Sequence, residues 1–169
     1  MAQHPAEMLL EKNDTFISRI IHAPRELVFQ AWTDAEHLKH WFAPKGCTLY
    51  FKHIDIRPGG GFLSCIKTPN FKDCWCKGTY LEIVDPERIV FKMAISDETG
   101  ALRRPEEVGM DPEWPAETIV TVILKEVGIT TKFTLHQTVS QALATRTGAY
   151  PSWLSSLDLL DKLLKERTS

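Results

Sequence analysis

Nowhere in the sequence do about 18 apolar residues stand together, so no membrane-spanning helix is expected. The first residues, "MAQHPAEMLLEKND", lack a basic stretch followed by an apolar core, which argues against a secretory signal. Charge of one sign is also missing. Twenty Lys and Arg face 22 Asp and Glu, for a formal net charge of −2, and the two signs are interspersed. Neither a nucleic-acid footprint nor an attraction to anionic membrane is expected from that balance. Of the motifs that announce chemistry, the phosphate-cradling loop opening a helix, the G-x-S-x-G nucleophile elbow and the H-E-x-x-H metal helix are all lacking. The glycines of "RPGGGF" sit between two strands instead of opening a helix, so they read as a tight turn, and no cofactor is expected.

What remains is an ordinary globular composition, 43% hydrophobic and 25% charged in 169 residues, enough for one core. The expectation is a cytoplasmic protein with a short tail over 1–14 and a single domain over 15–169. After the tail, "TFISRII" has strand composition. "HAPRELVFQAWT" then switches to helical period, with Leu27, Val28, Ala31 and Trp32 on one face. The next segment, "TDAEHLKHWF", has Thr33 and Glu36 at capping-box spacing and turns Leu38, Trp41 and Phe42 inward. Pro44 and Gly46 end it abruptly.

Strand signals then recur: "CTLYFKHIDIR", "GFLSCIK", "CWCKGTYLEIV", "RIVFKMAIS", "ETIVTVILKEV" and "TTKFTLHQTV", separated by turn chemistries. One connector breaks the rhythm, Asp97 to Ala116, long enough to be either a surface insertion or a lid. The chain closes with "PSWLSSLDLLDKLLKERTS", in which Trp153, Leu157, Leu160 and Leu164 form an apolar stripe widened by Leu154 and Leu163. Strand, two short helices, an antiparallel meander and a long final helix make an α+β layer architecture of six to seven strands, with the final helix across the sheet.

The segments "HAPRELVFQAWTDAEHLKHWFAPKG", "DIRPGGGF", "GTYLEIVDPERIVF", "VTVILKE" and "WLSSLDLLDKLL" together resemble the START-like helix-grip (SRPBCC) superfamily. Within it they are similar to the branch named after the C-terminal domain of the heat-shock-protein-90 ATPase activator. The likeness spans roughly residues 15 to 165, with two departures. Ser152 stands where the branch usually has Gly before the last-helix Trp, and His136 and Gln137 stand where a Thr-His pair often ends the last strand. The resemblance implies a curved sheet wrapped around the long helix, with a hollow between them plugged by the two short helices.

It also implies that Trp41 and Phe42 line that hollow near the plug. With them, Phe62, Phe91, Met93 and Trp153 are the expected wall of a site for a small hydrophobic molecule, and Tyr80 and Gln137 its expected polar anchors. Plain core packing is the competing reading for the aromatics. Gln137 reads as inward with Phe133 and Leu135, so its amide requires a partner, whether ligand, helix end or water.

Residues that could carry chemistry are few. Tyr80 and Glu82 are expected on one strand face, and if that face looks into the hollow, Glu82 is the acid or base to test. "KHIDIR" sets His53 beside Asp55 and Arg57, although a solvated sheet face explains this pattern more simply. Cys74 and Cys76 share a strand face, and a six-residue hairpin loop would place Cys65 opposite Cys76. Their C-x-C spacing does not make a zinc set, so reduced structural thiols and no metal are expected.

The leading expectation is therefore a ligand-binding protein. A cyclase or hydratase working in the same hollow is the enzymatic alternative. A chaperone-partner domain is the third, disfavoured because the chain has no room for the partner-binding half of such activators. A homodimer stays open.

Overall fold

The computed structural model describes residues 13–168; most of the expected tail lies outside the described residues. Seven antiparallel strands form one sheet in the order β1-β7-β6-β5-β4-β3-β2. They are β1 (Asp14–Ile21), β2 (Thr48–Ile54), β3 (Gly61–Lys67), β4 (Cys74–Val84), β5 (Arg88–Ile95), β6 (Glu117–Val127) and β7 (Thr130–Ser140). The helices are α1 (Arg25–Thr33), α2 (Ala35–Trp41), α3 (Gln141–Thr147) and α4 (Ala149–Thr168). The α+β helix-grip reading holds, with two short helices after the first strand and a long C-terminal helix. Among the described residues no helix is long and apolar enough to cross a membrane.

Alternation places the core. Val120, Val122 and Leu124 of β6 and Phe133 and Leu135 of β7 are almost completely buried on the sheet face that receives the helices, as the period-2 pattern requires. The stripe of α4 meets them: Leu157, Leu160 and Leu164 are likewise buried. Trp32 of α1 is the hub between layers. Its ring centroid lies 4.7 Å from that of Trp41, 5.8 Å from Phe133 and 6.4 Å from Trp153.

Three local expectations change. The cap of α2 is Asp34, not Thr33: Asp34 Oδ1 accepts from the Glu36 and His37 amides at 2.8 and 3.4 Å, while the Thr33 hydroxyl donates back to Phe29 O within α1. Asp34 has the extended backbone that an N-cap needs, so the break falls one residue later. The long helix begins at Ala149, ahead of Pro151, and a short α3 that the strand reading passed over precedes it. Ser140 caps α3 by accepting from the Leu143 amide at 3.2 Å, and Gly148, at φ +89°, separates the two helices.

The third change is the β3–β4 register. Ile66 pairs with Cys74, so Cys65 faces Trp75 and Ser64 faces Cys76. Seven residues, not six, separate the last pair, and the odd number puts Cys65 on the opposite face from Cys74 and Cys76.

Candidate functional site

Where α4 begins, the helix layer and the sheet part around a pocket of about 320 Å³. Its walls come from the sheet, two helical segments and the insertion. The α2–β2 corner supplies Phe42, Ala43, Pro44 and Cys47. The ends of β3, β4 and β5 supply Ile66, Cys74, Cys76, Met93 and Ile95. Thr118 of β6 and Gln137 of β7 form the polar part, and α4 contributes Ser152, Trp153 and Ser156. The fourth wall is the insertion, which brings Met110, Trp114 and Ala116.

The insertion is a braced structure. It contains a 3₁₀ turn over Pro105–Val108. Near its start, Asp97 accepts from the Thr99 hydroxyl at 2.6 Å and from Arg103 Nη2 at 2.7 Å, and these contacts hold its carboxyl well below the usual range. Near its end, Arg146 of α3 reaches both Asp111, at 3.1 Å, and Glu113. Among the two readings of this connector, the surface excursion and the lid, the geometry places it at the pocket's edge.

The corner that carries Trp41 and Phe42 divides their roles. Phe42 is a pocket wall, standing edge-on to Trp153 at 5.8 Å. Trp41 points the other way, is 1% exposed, and donates from Nε1 to Ala31 O at 3.1 Å. It is core, not cavity wall, because α2 turns it beneath Trp32. Phe62, Tyr80 and Phe91 also fall outside the main pocket. They surround a separate void of about 10 Å³, hardly room for one water. Of the eight expected lining residues, the structure brings Phe42, Met93, Gln137 and Trp153 together around the pocket.

The expected catalytic candidates do not converge. Leu81 is a bulge: Tyr80 pairs with Phe91 but Glu82 with Val90, which turns Glu82 to the outer face. There it lies 3.4 Å from Arg88. Tyr80 remains inward, and burial pushes its hydroxyl's pKa up. His53 is exposed, and its neighbours Asp55 and Arg57 pair with each other at 2.7 Å.

All four cysteines are free. Cys47, Cys74 and Cys76 line the pocket, and burial, reinforced by Cys74, pushes the Cys76 thiol up to about 12. Among the described residues no three His, Cys, Asp or Glu side chains converge as a metal-holding group.

Gln137 finds its partners inside the fold. Its Oε1 accepts from Trp153 Nε1 at 2.9 Å, and its Nε2 donates to Thr118 Oγ1 at 3.0 Å. The partner is thus the start of the long helix together with a neighbouring strand. His136 faces outward and pairs with Asp14 at 2.9 Å. Ser152, the other departure, donates to Gly148 O at 2.8 Å while bordering the pocket.

Sequence reading missed Thr118, Ser156, Met110 and Trp114. Thr118 shares the inward period of Val120 and Val122, and Ser156 follows Trp153 by three residues, just under one helical turn, so both were accessible signals. The two insertion residues carried none beyond being large and apolar in a polar loop.

The family whose description is Activator of Hsp90 ATPase homolog 1-like protein matches over residues 22–165. Among solved structures, a protein from Nitrosomonas europaea is 23% identical, covering 93% of this chain and 97% of its own, with a TM-score of 0.72. One from Staphylococcus epidermidis is 23% identical over 92% of this chain and 91% of its own, at 0.74. One from Arthrobacter aurescens is 20% identical over 93% and 88%, at 0.78. At these identities the likeness is one of fold. A comparison with curated proteins gives no match.

Proposed function

The chain belongs to the family described as Activator of Hsp90 ATPase homolog 1-like protein, and from that premise we propose that it binds a small hydrophobic or aromatic molecule between its sheet and its long helix. The observation that carries this reading is the pocket beside Phe42 and Trp153. Its size lies at the lower end of small-molecule sites, and apolar and aromatic side chains make most of its wall.

A binding role is favoured over a cyclase or hydratase because the lining has no carboxylate, imidazole or amine to move protons. Glu82 and His53 sit at the outer surface, and burial pushes the Cys74 and Cys76 thiols up.

The test is uptake of the neutral dye N-phenyl-naphthylamine by the native protein, read by fluorescence, together with native mass spectrometry for a co-purified small molecule. Saturable one-to-one binding is expected. It should be weakened by Trp153→Ala and blocked by Ala116→Trp, which places an indole at the mouth from an exposed position. Absence of uptake, or uptake indifferent to both variants, would overturn the reading and favour partner binding through the surface.

A further inference from the structure

Trp153 settles the chemistry of its neighbours. An indole N–H can only donate, so the Gln137 atom 2.9 Å from it must be the carbonyl oxygen. The amide nitrogen therefore faces Thr118, and the Thr118 hydroxyl must be the acceptor of that 3.0 Å bond. Its own proton is left to be donated elsewhere, and among the described residues nothing accepts it. Thr118 is 3% exposed and lines the pocket. Ser156, 5% exposed and also at the wall, has a hydroxyl without a hydrogen-bond partner among the described residues. Hydroxyl protons left over at a pocket wall are free to be given to an acceptor inside it.

The lining also contains no Asp, Glu, Lys, Arg or His. An ionised ligand would leave water for a wall without a countercharge, an uncompensated desolvation.

We propose that the pocket selects an uncharged aromatic molecule bearing a hydrogen-bond-accepting oxygen, of the aryl-ketone class, seated with that oxygen against the Thr118 hydroxyl. The selection rests on the ligand-binding reading above and deepens it. Phe42, Trp114 and Trp153 supply faces for the ring, and Met93 and Met110 adapt to its outline.

The experiment uses three probes on the full chain: the naphthyl ketone Prodan, its analogue with the carbonyl reduced to methylene, and the corresponding naphthoate. The ketone should bind, with emission shifted to the red of its value in dry apolar solvent, which reports a hydrogen bond to the carbonyl in the unmodified protein. Thr118→Val should weaken the ketone roughly tenfold and remove that red shift, the loss expected for one hydrogen bond, while the methylene analogue changes less than about twofold. Thr118→Ser should retain ketone binding. The naphthoate should bind at least about a hundredfold more weakly than the ketone. Thermal denaturation establishes that each variant is folded, and if the valine variant is not, the emission of the bound ketone in the unmodified protein decides alone.

Ketone binding without the red shift, or undiminished in a folded valine variant, overturns the proposal, and so does a naphthoate that binds like the ketone. In those outcomes the ligand-binding reading survives. If neither neutral probe binds, that reading itself fails.

Discussion

Gly78 of β4 is buried directly beneath Phe62, and a methyl group there has nowhere to go. A Cβ built on it would stand 2.0 Å from Phe62 Cε1 and 2.1 Å from Cζ, whereas ordinary contact begins near 3.4 Å. The ring would have to retreat by about 1.4 Å. It is hemmed in by Phe51, Tyr80 and Phe91, whose centroids lie 6.0, 5.8 and 6.3 Å away. The adjoining void of about 10 Å³ is too small to receive it. Overpacking of this kind costs roughly 1–3 kcal/mol or more, against which alanine recovers about 0.5–1 kcal/mol of the backbone entropy that glycine loses in a strand.

Gly78→Ala should therefore destabilise by about 1–2 kcal/mol, or roughly 2–8 °C in melting temperature for a chain of this size. Phe62→Leu makes room. In the alanine background it should cost much less than it does alone, a coupling of at least about 1 kcal/mol in a double-mutant cycle read by urea denaturation. A Gly78→Ala variant within about 0.5 kcal/mol of the parent, or simple additivity with Phe62→Leu, would refute the reasoning.

Leu160→Ala removes a side chain that is 1% exposed at the seam of α4 and sheet, so urea titration should show a loss of ~2–5 kcal/mol; under about 0.5 kcal/mol would put the stripe elsewhere. Trp41→Ala should cost ~3–5 kcal/mol yet leave dye affinity within about twofold, because the residue is core, whereas Trp153→Ala should change affinity more than stability. The reverse pattern would mean that Trp41 faces the pocket. The Cys76 thiol, pushed up to about 12 from an ordinary 9.0, stays protonated at pH 8, and its alkylation by iodoacetamide should run at least about tenfold slower than that of a free cysteine, climbing as pH rises. Peptide mapping after timed alkylation reads this, and a rate equal to the free thiol's at pH 8 would contradict it. Asp97, whose pKa is lowered by its bonds to Thr99 and Arg103, supports the start of the insertion at pH values above the ordinary carboxylate pKa and loses that role as pH falls through its lower folded value. The Thr99 and Ala101 amide resonances should accordingly titrate below about pH 3.8; a midpoint at or above it would remove the premise.

Periodicity made much of the architecture legible from the chain. The segments read as β3, β4 and β6 have the observed boundaries, and the inward sets Val120, Val122, Leu124 and Phe133, Leu135, Gln137 are those of the structure, since alternation on a half-buried sheet is a local signal. The α4 stripe was visible for the same reason. Errors arose wherever one residue changes parity. The bulge at Leu81 sends Glu82 outward, and one extra residue in the β3–β4 loop parts Cys65 from Cys74 and Cys76.

The division of roles at the Trp41–Phe42 corner depends on how α2 rotates against α1 and α4, a packing of distant segments that no window of the sequence contains. The same holds for the pocket's polar wall. Trp153, Gln137 and Thr118 are each plain in the sequence, but hydrogen bonds that join one helix to two strands, and so decide which donors remain free, exist only once the layers close. Arg146 meeting Asp111 and Glu113 is likewise a contact across more than thirty residues, and it sets the insertion beside the pocket because charges pair by proximity in space, not along the chain.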